Sequence, residues 1–244
     1  MKELELDITT PDGAMNTFIT YPEEDGPYPV ILFLMDAPGK REELHQMARR
    51  MATCGYWVML PNLYYRRVKE FVMEWSEAGR DKMFEHMNSL SNSMVAKDCR
   101  RLLEASKEYE SASKGFAGCV GYCMSGPFAF AAAAEINDRI RATASIHGVR
   151  LFTDSDHSPH RRADEVNGEL YFGCAETDEW APREMIDNLE NHLSKTDVSY
   201  RIEWYPNTEH GFVFPEREAK YHQNASERHW HRILSLFERN LKFS

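Results

Sequence analysis

Three residues far apart in the chain have the types and the order to perform acyl transfer: Cys123, Asp178 and His210. Residues 118–126 read Gly-Cys-Val-Gly-Tyr-Cys-Met-Ser-Gly, entered through an apolar run from Phe116 to Val120 and followed by an alanine-rich stretch. That is the outline of a nucleophile elbow, a sharp strand-to-helix turn holding one side chain in a strained backbone position at the sheet edge. Small residues must flank the turn, and Gly121, Ser125 and Gly126 do so. A cysteine at the apex points to hydrolysis through a thioester. A thiol nucleophile needs a base, and the base needs a partner fixing its tautomer. Asp178 falls in a loop after an apolar strand and ahead of a helix, and His210 falls in the matching loop one strand later. Nucleophile, acid, histidine is the chain order expected with such an elbow.

The elements that must position these loops follow from periodicity. Residues 3–9 alternate apolar and polar, Pro11-Asp12-Gly13 signals a turn, and residues 15–21 read as the returning strand of a hairpin. Buried strands are expected at 29–35 and 56–60, and further strands at 115–122, 140–146, 170–175 and 198–205. Helices are expected at 41–53, 94–109, 125–136 and 183–193, with a closing helix from 217 or later to 241. Such alternation predicts an α/β fold: one domain over residues 1–244, a mostly parallel central sheet with helices on both faces, and an antiparallel N-terminal hairpin. Ligands gather beyond the carboxyl ends of the strands in such sheets. Residues 62–92 break the alternation, with helix character near 81–90 but no buried strand, and read as a cap-like excursion or else a surface connection.

Bulk properties narrow the function. The net charge of -10, from 39 acidic and 29 basic residues, argues against nucleic acid or an anionic membrane as partner. No stretch approaches the roughly 20 apolar residues of a membrane span, and the N-terminus lacks an apolar signal core. Five cysteines without a disulfide or zinc spacing fit a reducing compartment, so a cytoplasmic protein is expected. Cys119 and Cys174 read as inert buried thiols. Glu176 and Glu209 compete with Asp178 as the orienting acid and rank below it. Asp154, Asp156, His157 and His160 crowd one loop without metal-site spacing, so neither metal nor cofactor is expected. His222, His229 and His231 read as surface residues of the last helix. Tyr64, Tyr122, His147, Trp180 and Phe212 stand beside strand ends and are candidates for a substrate pocket, with ordinary core packing as the alternative.

With these residues in hand, the chain resembles the dienelactone hydrolase family of α/β-hydrolases from Pro29 to the last helix. The resemblance rests on Gly121-Tyr122-Cys123-Met124-Ser125-Gly126, Pro61-Asn62-Leu63-Tyr64, Asp178 with Trp180 and Pro182, and His210-Gly211-Phe212. It implies Cys123 as nucleophile, His210 as base, Asp178 as its orienting acid, and an oxyanion hole from the backbone N–H groups of Ala37 and Met124. It also implies a small ester or lactone as substrate. Where dienelactone-opening members present a glutamate that contacts the resting thiol, this chain has Asp36, the candidate for restraining Cys123. Where those members place an arginine four residues beyond the catalytic histidine to hold a substrate carboxylate, this chain has Phe214, with Arg217 three residues on. Dienelactone itself is therefore a poor expected substrate. Two other classes compete: a ligand-binding protein on a hydrolase scaffold, and a redox protein in which Cys119 resolves an oxidised Cys123. Oligomeric state is not legible.

Overall fold

In a computed structural model, which describes residues 1–24 and 26–242, eight strands form one sheet in the order β1-β2-β4-β3-β5-β6-β7-β8. The strands are β1 Lys2–Thr10, β2 Gly13–Tyr21, β3 Val30–Leu34, β4 Trp57–Pro61, β5 Ala117–Tyr122, β6 Ile140–Ile146, β7 Glu169–Thr177 and β8 Ser199–Glu209. β1 and β2 pair antiparallel, as do β2 and β4, and every later pairing is parallel. The expected α/β-hydrolase arrangement with its N-terminal hairpin is present. β3, β4 and β5 are buried at every residue, which is why their sequences are continuous apolar runs without alternation.

The helices are α1 Glu42–Ala52, α2 Glu77–Asn88, α3 Asn92–Ser106, α4 Gly126–Glu135, α5 Arg183–Leu193 and α6 Gln223–Phe237. α1 buries Leu44, Met47, Ala48 and Met51 along one stripe. α4, alanine- and phenylalanine-rich, is buried over its first nine residues because it lies between the sheet and other helices. The last helix starts at Gln223, with the His222 side chain accepting a bond from the Ala225 N–H.

The chain path creates the crevice. From β3 it passes through α1 to β4 on one side, then returns over residues 62–106 to β5 on the other side of β3. The loops leaving β3 and β5 therefore diverge, and the gap between them is the topological switch point where open sheets of this kind bind ligands. Ala37 follows β3 and Cys123 follows β5. β8 runs four residues past its expected end, because Glu176 and Thr208 stitch it to β7: Glu176 accepts from the Asn207 N–H at 2.7 Å, and the Glu176 N–H donates to Thr208 Oγ1 at 3.3 Å. His210 thus leaves directly from a strand end. Among the described residues, no helix is long and apolar enough to cross a membrane.

Candidate active site

Cys123 has φ = 54°, the left-handed region that a β-carbon disfavours, immediately after β5 and ahead of α4. The surroundings enforce this conformation. A Cβ on Gly121 would lie 2.0 Å from the Ser125 carbonyl oxygen, and one on Gly126 would lie 2.5 Å from Gly148 Cα. Only glycine allows the turn to close so tightly. Ser125, fully buried, donates its hydroxyl to the Met35 carbonyl at 2.5 Å, tying the elbow to the exit of β3. The Cys123 carbonyl accepts from the Val149 N–H at 3.2 Å. Backbone bonds on both sides thus hold the thiol, while its side chain stays partly accessible on a cavity wall.

The imidazole of His210 lines the same cavity. Its Nδ1 donates to Asp178, 2.8 Å from Oδ2 and 3.0 Å from Oδ1. Asp178 Oδ1 also accepts from the N–H groups of Trp180 and Ala181, each at 2.9 Å, so the backbone aims the carboxylate. This fixes the tautomer with Nε2 toward the cavity. Nε2 is buried without a partner of full hydrogen-bond geometry, and such contacts are often loose before substrate binds. Burial alone would lower the pKa of His210, but the charge of a Cys123 thiolate and the hydrogen bond to Asp178 lift it to about 9. The competing acids lie elsewhere, with Glu176 on the Asn207 amide and Glu209 3.7 Å from Lys220.

Tyr64 links the two residues whose N–H groups are expected to receive an oxyanion. Its hydroxyl donates to the Ala37 carbonyl at 2.8 Å and sits 3.3 Å from Met124 Sδ. Asn62 organises the loop beneath, accepting from the Tyr64 N–H at 3.0 Å and donating to the carbonyls of Val68 and Lys69, each at 3.0 Å. The Pro61-Asn62-Leu63-Tyr64 segment carried this signal in sequence, although the bridging role depends on a contact 60 residues long.

Several expectations need correction. Asp36 is not placed against the thiol: its oxygens go to Arg41 Nη1 at 2.5 Å and Arg217 Nη2 at 2.6 Å. Two charge-assisted bonds to guanidinium groups hold this fully buried carboxylate. Of the pocket candidates, Trp180 lines the cavity, whereas Tyr64, Tyr122, His147 and Phe212 lie in the core below it. Tyr122 points down to His229, whose Nε2 is 3.0 Å from the phenol oxygen while its Nδ1 is 2.9 Å from the Ser226 carbonyl. His229 is therefore a core residue, not a surface one, and burial pushes its pKa down to about 4. His147 stacks edge-on to His210 with ring centroids 4.7 Å apart. Burial, then the charge of His210, holds its pKa well below the ordinary range, so it is a neutral wall beneath the His210 ring.

Comparison with known proteins agrees with this architecture. A family model described as the dienelactone hydrolase family matches residues 15–241. A Synechocystis protein carrying the provisional name carboxymethylenebutenolidase is 24% identical, with 96% of each chain covered. The carboxymethylenebutenolidase of Rhodococcus opacus is also 24% identical, over 95% of this chain and 89% of its own. Among solved structures, a Klebsiella pneumoniae protein provisionally titled dienelactone hydrolase superposes with a TM-score of 0.85 at 20% identity, covering 97% of this chain and 98% of that one. A dienelactone hydrolase-like promiscuous phosphotriesterase from metagenomic libraries gives 0.82 at 16% identity, covering 98% of each. The residue order, the elbow and the nearly full-length family match together place this chain in the dienelactone hydrolase family.

Proposed function

We propose that this protein hydrolyses an ester or lactone through a cysteine acyl-enzyme, using Cys123, His210 and Asp178. The observation that carries the reading is the alignment of His210 between Asp178, 2.8 Å away, and the strained Cys123 on the shared cavity wall. The names of the relatives support the choice of ester or lactone bonds.

In this reading the Cys123 sulfur attacks the acyl carbon as thiolate while His210 is imidazolium. Charge moves to the carbonyl oxygen, which the N–H groups of Ala37 and Met124 receive. The Ala37 amide follows β3 and gives no hydrogen bond to another described backbone group. The carbon–oxygen bond then breaks, and His210 gives its proton to the leaving oxygen. This leaves a Cys123 thioester and a neutral imidazole. Water enters, His210 takes its proton, the carbon–sulfur bond breaks, and the acid departs as the thiolate–imidazolium pair returns. Asp178 orients the ring throughout and stabilises its charge.

The redox alternative gains nothing from the geometry, because Cys119 lies buried against Cys99 in the core. Five free thiols support residence in a reducing compartment such as the cytoplasm. The test is turnover of p-nitrophenyl acetate by wild type and by Cys123→Ala. The variant is expected to fall to background, and undiminished hydrolysis would end the proposal.

A further inference from the structure

The cavity in front of Cys123 is larger than a small lactone needs, and most of its wall is apolar. Its volume is about 830 Å³, toward the upper end of sites for drug-sized ligands. The 62–92 segment supplies Met73, Trp75, Met83, Phe84 and Met87 to its wall, and Trp180 faces them from the loop carrying Asp178. The Phe84 and Trp180 rings lie 5.8 Å apart at 39°, so the cap meets the catalytic loop through two aromatic groups. Trp75 and Trp180 are 76% and 50% exposed, unusual for tryptophan unless a ligand covers it. Methionines beside them can repack around irregular shapes. Two smaller cavities, of about 300 and 340 Å³, share separate sets of wall residues with the main one, so the cleft continues in two directions.

Four Lys and Arg side chains line the cavity, and none of them is buried within it. Arg217 is paired with Asp36 at 2.6 Å and lies over the Phe214 ring, 4.6 Å from its centroid. Lys220 is 3.7 Å from Glu209. Arg80 and Arg150 are exposed at the rim, which also carries Glu216 and Glu218. Phe214, at the position where the resemblance would place an arginine, is fully buried.

We infer that the ester accepted here carries a bulky neutral group, aryl or medium-chain alkyl, seated between the 62–92 segment and Trp180. The inference rests on the hydrolase reading for its chemistry but on the cavity wall for its specificity. Each methylene that enters such a wall improves binding about fourfold when fully buried. The cleft is partly open, so the gain across a series is smaller than the full-burial product.

The experiment compares kcat/KM for p-nitrophenyl acetate, butyrate and octanoate, and for the carboxylate-ended ester of similar length, p-nitrophenyl hydrogen suberate. The octanoate-to-acetate ratio is expected to be on the order of 100. Neutral octanoate should exceed suberate by at least about tenfold, and Phe84→Ala should cut the octanoate-to-acetate ratio about tenfold. Calorimetric binding of 1-naphthyl octanoate and 1-naphthyl acetate to Cys123→Ala reads the same preference without turnover. Acetate turnover with a flat series, or with suberate preferred, overturns the inference and leaves the hydrolase reading standing. No turnover of any ester by wild type, with octanoate still bound at least about tenfold tighter, removes the hydrolase reading and keeps the apolar seat. No turnover and no binding preference removes both.

Discussion

The two sides of the cleft are built on opposite principles. On the sheet side, backbone strain, two glycines without room for a β-carbon and a carboxylate aimed by two amides fix each reacting group. On the side of residues 62–92, partly exposed methionines and aromatics face the cavity through flexible apolar contacts. Chemistry requires reacting atoms held within fractions of an ångström, whereas recognition of an apolar group tolerates repacking. In the proposed reading, strain is concentrated where bonds would change, and the opposite wall is left adaptable. Substitutions on the sheet side should chiefly lower kcat, and those on the other side should shift preference among substrates.

The strongest way to break this contrast is at the base. His210→Ala is expected to reduce kcat by about four orders of magnitude, and Asp178→Asn by a comparable factor through the wrong tautomer. Steady-state kinetics on an activated ester measures both. A loss below tenfold for His210→Ala would mean that the thiol is activated by something else.

Next in size is the Asp36 junction, which joins the exit of β3 to Arg217, 181 residues away. Asp36→Ala leaves Arg217 without its carboxylate partner and Arg41 with Glu43 alone in a largely buried site, and should cost about 3 kcal/mol in urea unfolding. An unchanged midpoint would show that Arg41 and Arg217 find other partners without strain. Smaller again is Tyr64→Phe, which removes the bond holding the Ala37 carbonyl. It should lower kcat about tenfold with little change in KM, since it weakens placement of an oxyanion donor and not ground-state binding. A pure KM effect would move Tyr64 to the recognition side of the comparison.

The smallest expected effect is in pH dependence. With His210 at about 9 against 6.5 for a free imidazole, the protonated ring that delivers a proton to the leaving oxygen is lost as pH rises through about 9. kcat/KM should fall on that alkaline limb. The sign is the same for stability: a raised folded-state pKa contributes fully below 6.5 and is lost progressively up to about 9. Cys123→Ala removes the charge that raises the value, so NMR titration of the His210 ring should show a lower pKa. An unmoved titration would separate the thiol from the base.

How far the sequence anticipated this molecule follows the range of the interactions involved. The elbow was legible because its demands are local: an apolar strand, small flanking residues and a helix-forming stretch all fall within residues 116–135. Asp178 and His210 were legible because each follows a strand, an apolar one for Asp178 and an alternating one for His210, so element order located them at one sheet edge. The failures were long-range. The family resemblance points Asp36 at the thiol, but its carboxylate is taken by Arg41, five residues on, and by Arg217 from beyond β8, a meeting that no local pattern announces. His229 reads in sequence as a surface residue of the last helix, yet its ring fills the space under Tyr122, 107 residues away. The pocket candidates were chosen by proximity to strand ends, and four of the five point down into the core, because a side chain's direction depends on turn geometry and not on position alone. The cavity wall itself arises from residues 73–87, a weakly patterned stretch whose apolar side chains become meaningful only once the cleft they cover exists.

The account turns on acyl transfer to one sulfur. Intact-mass and peptide mapping after brief mixing of wild type and His210→Ala with an activated ester tests that most directly. The prediction is a single acyl adduct on the peptide bearing Cys123, longer-lived in His210→Ala because the water-activating base is gone. Rapid turnover with no adduct at Cys123 in either protein, or an adduct confined to another residue, would contradict it.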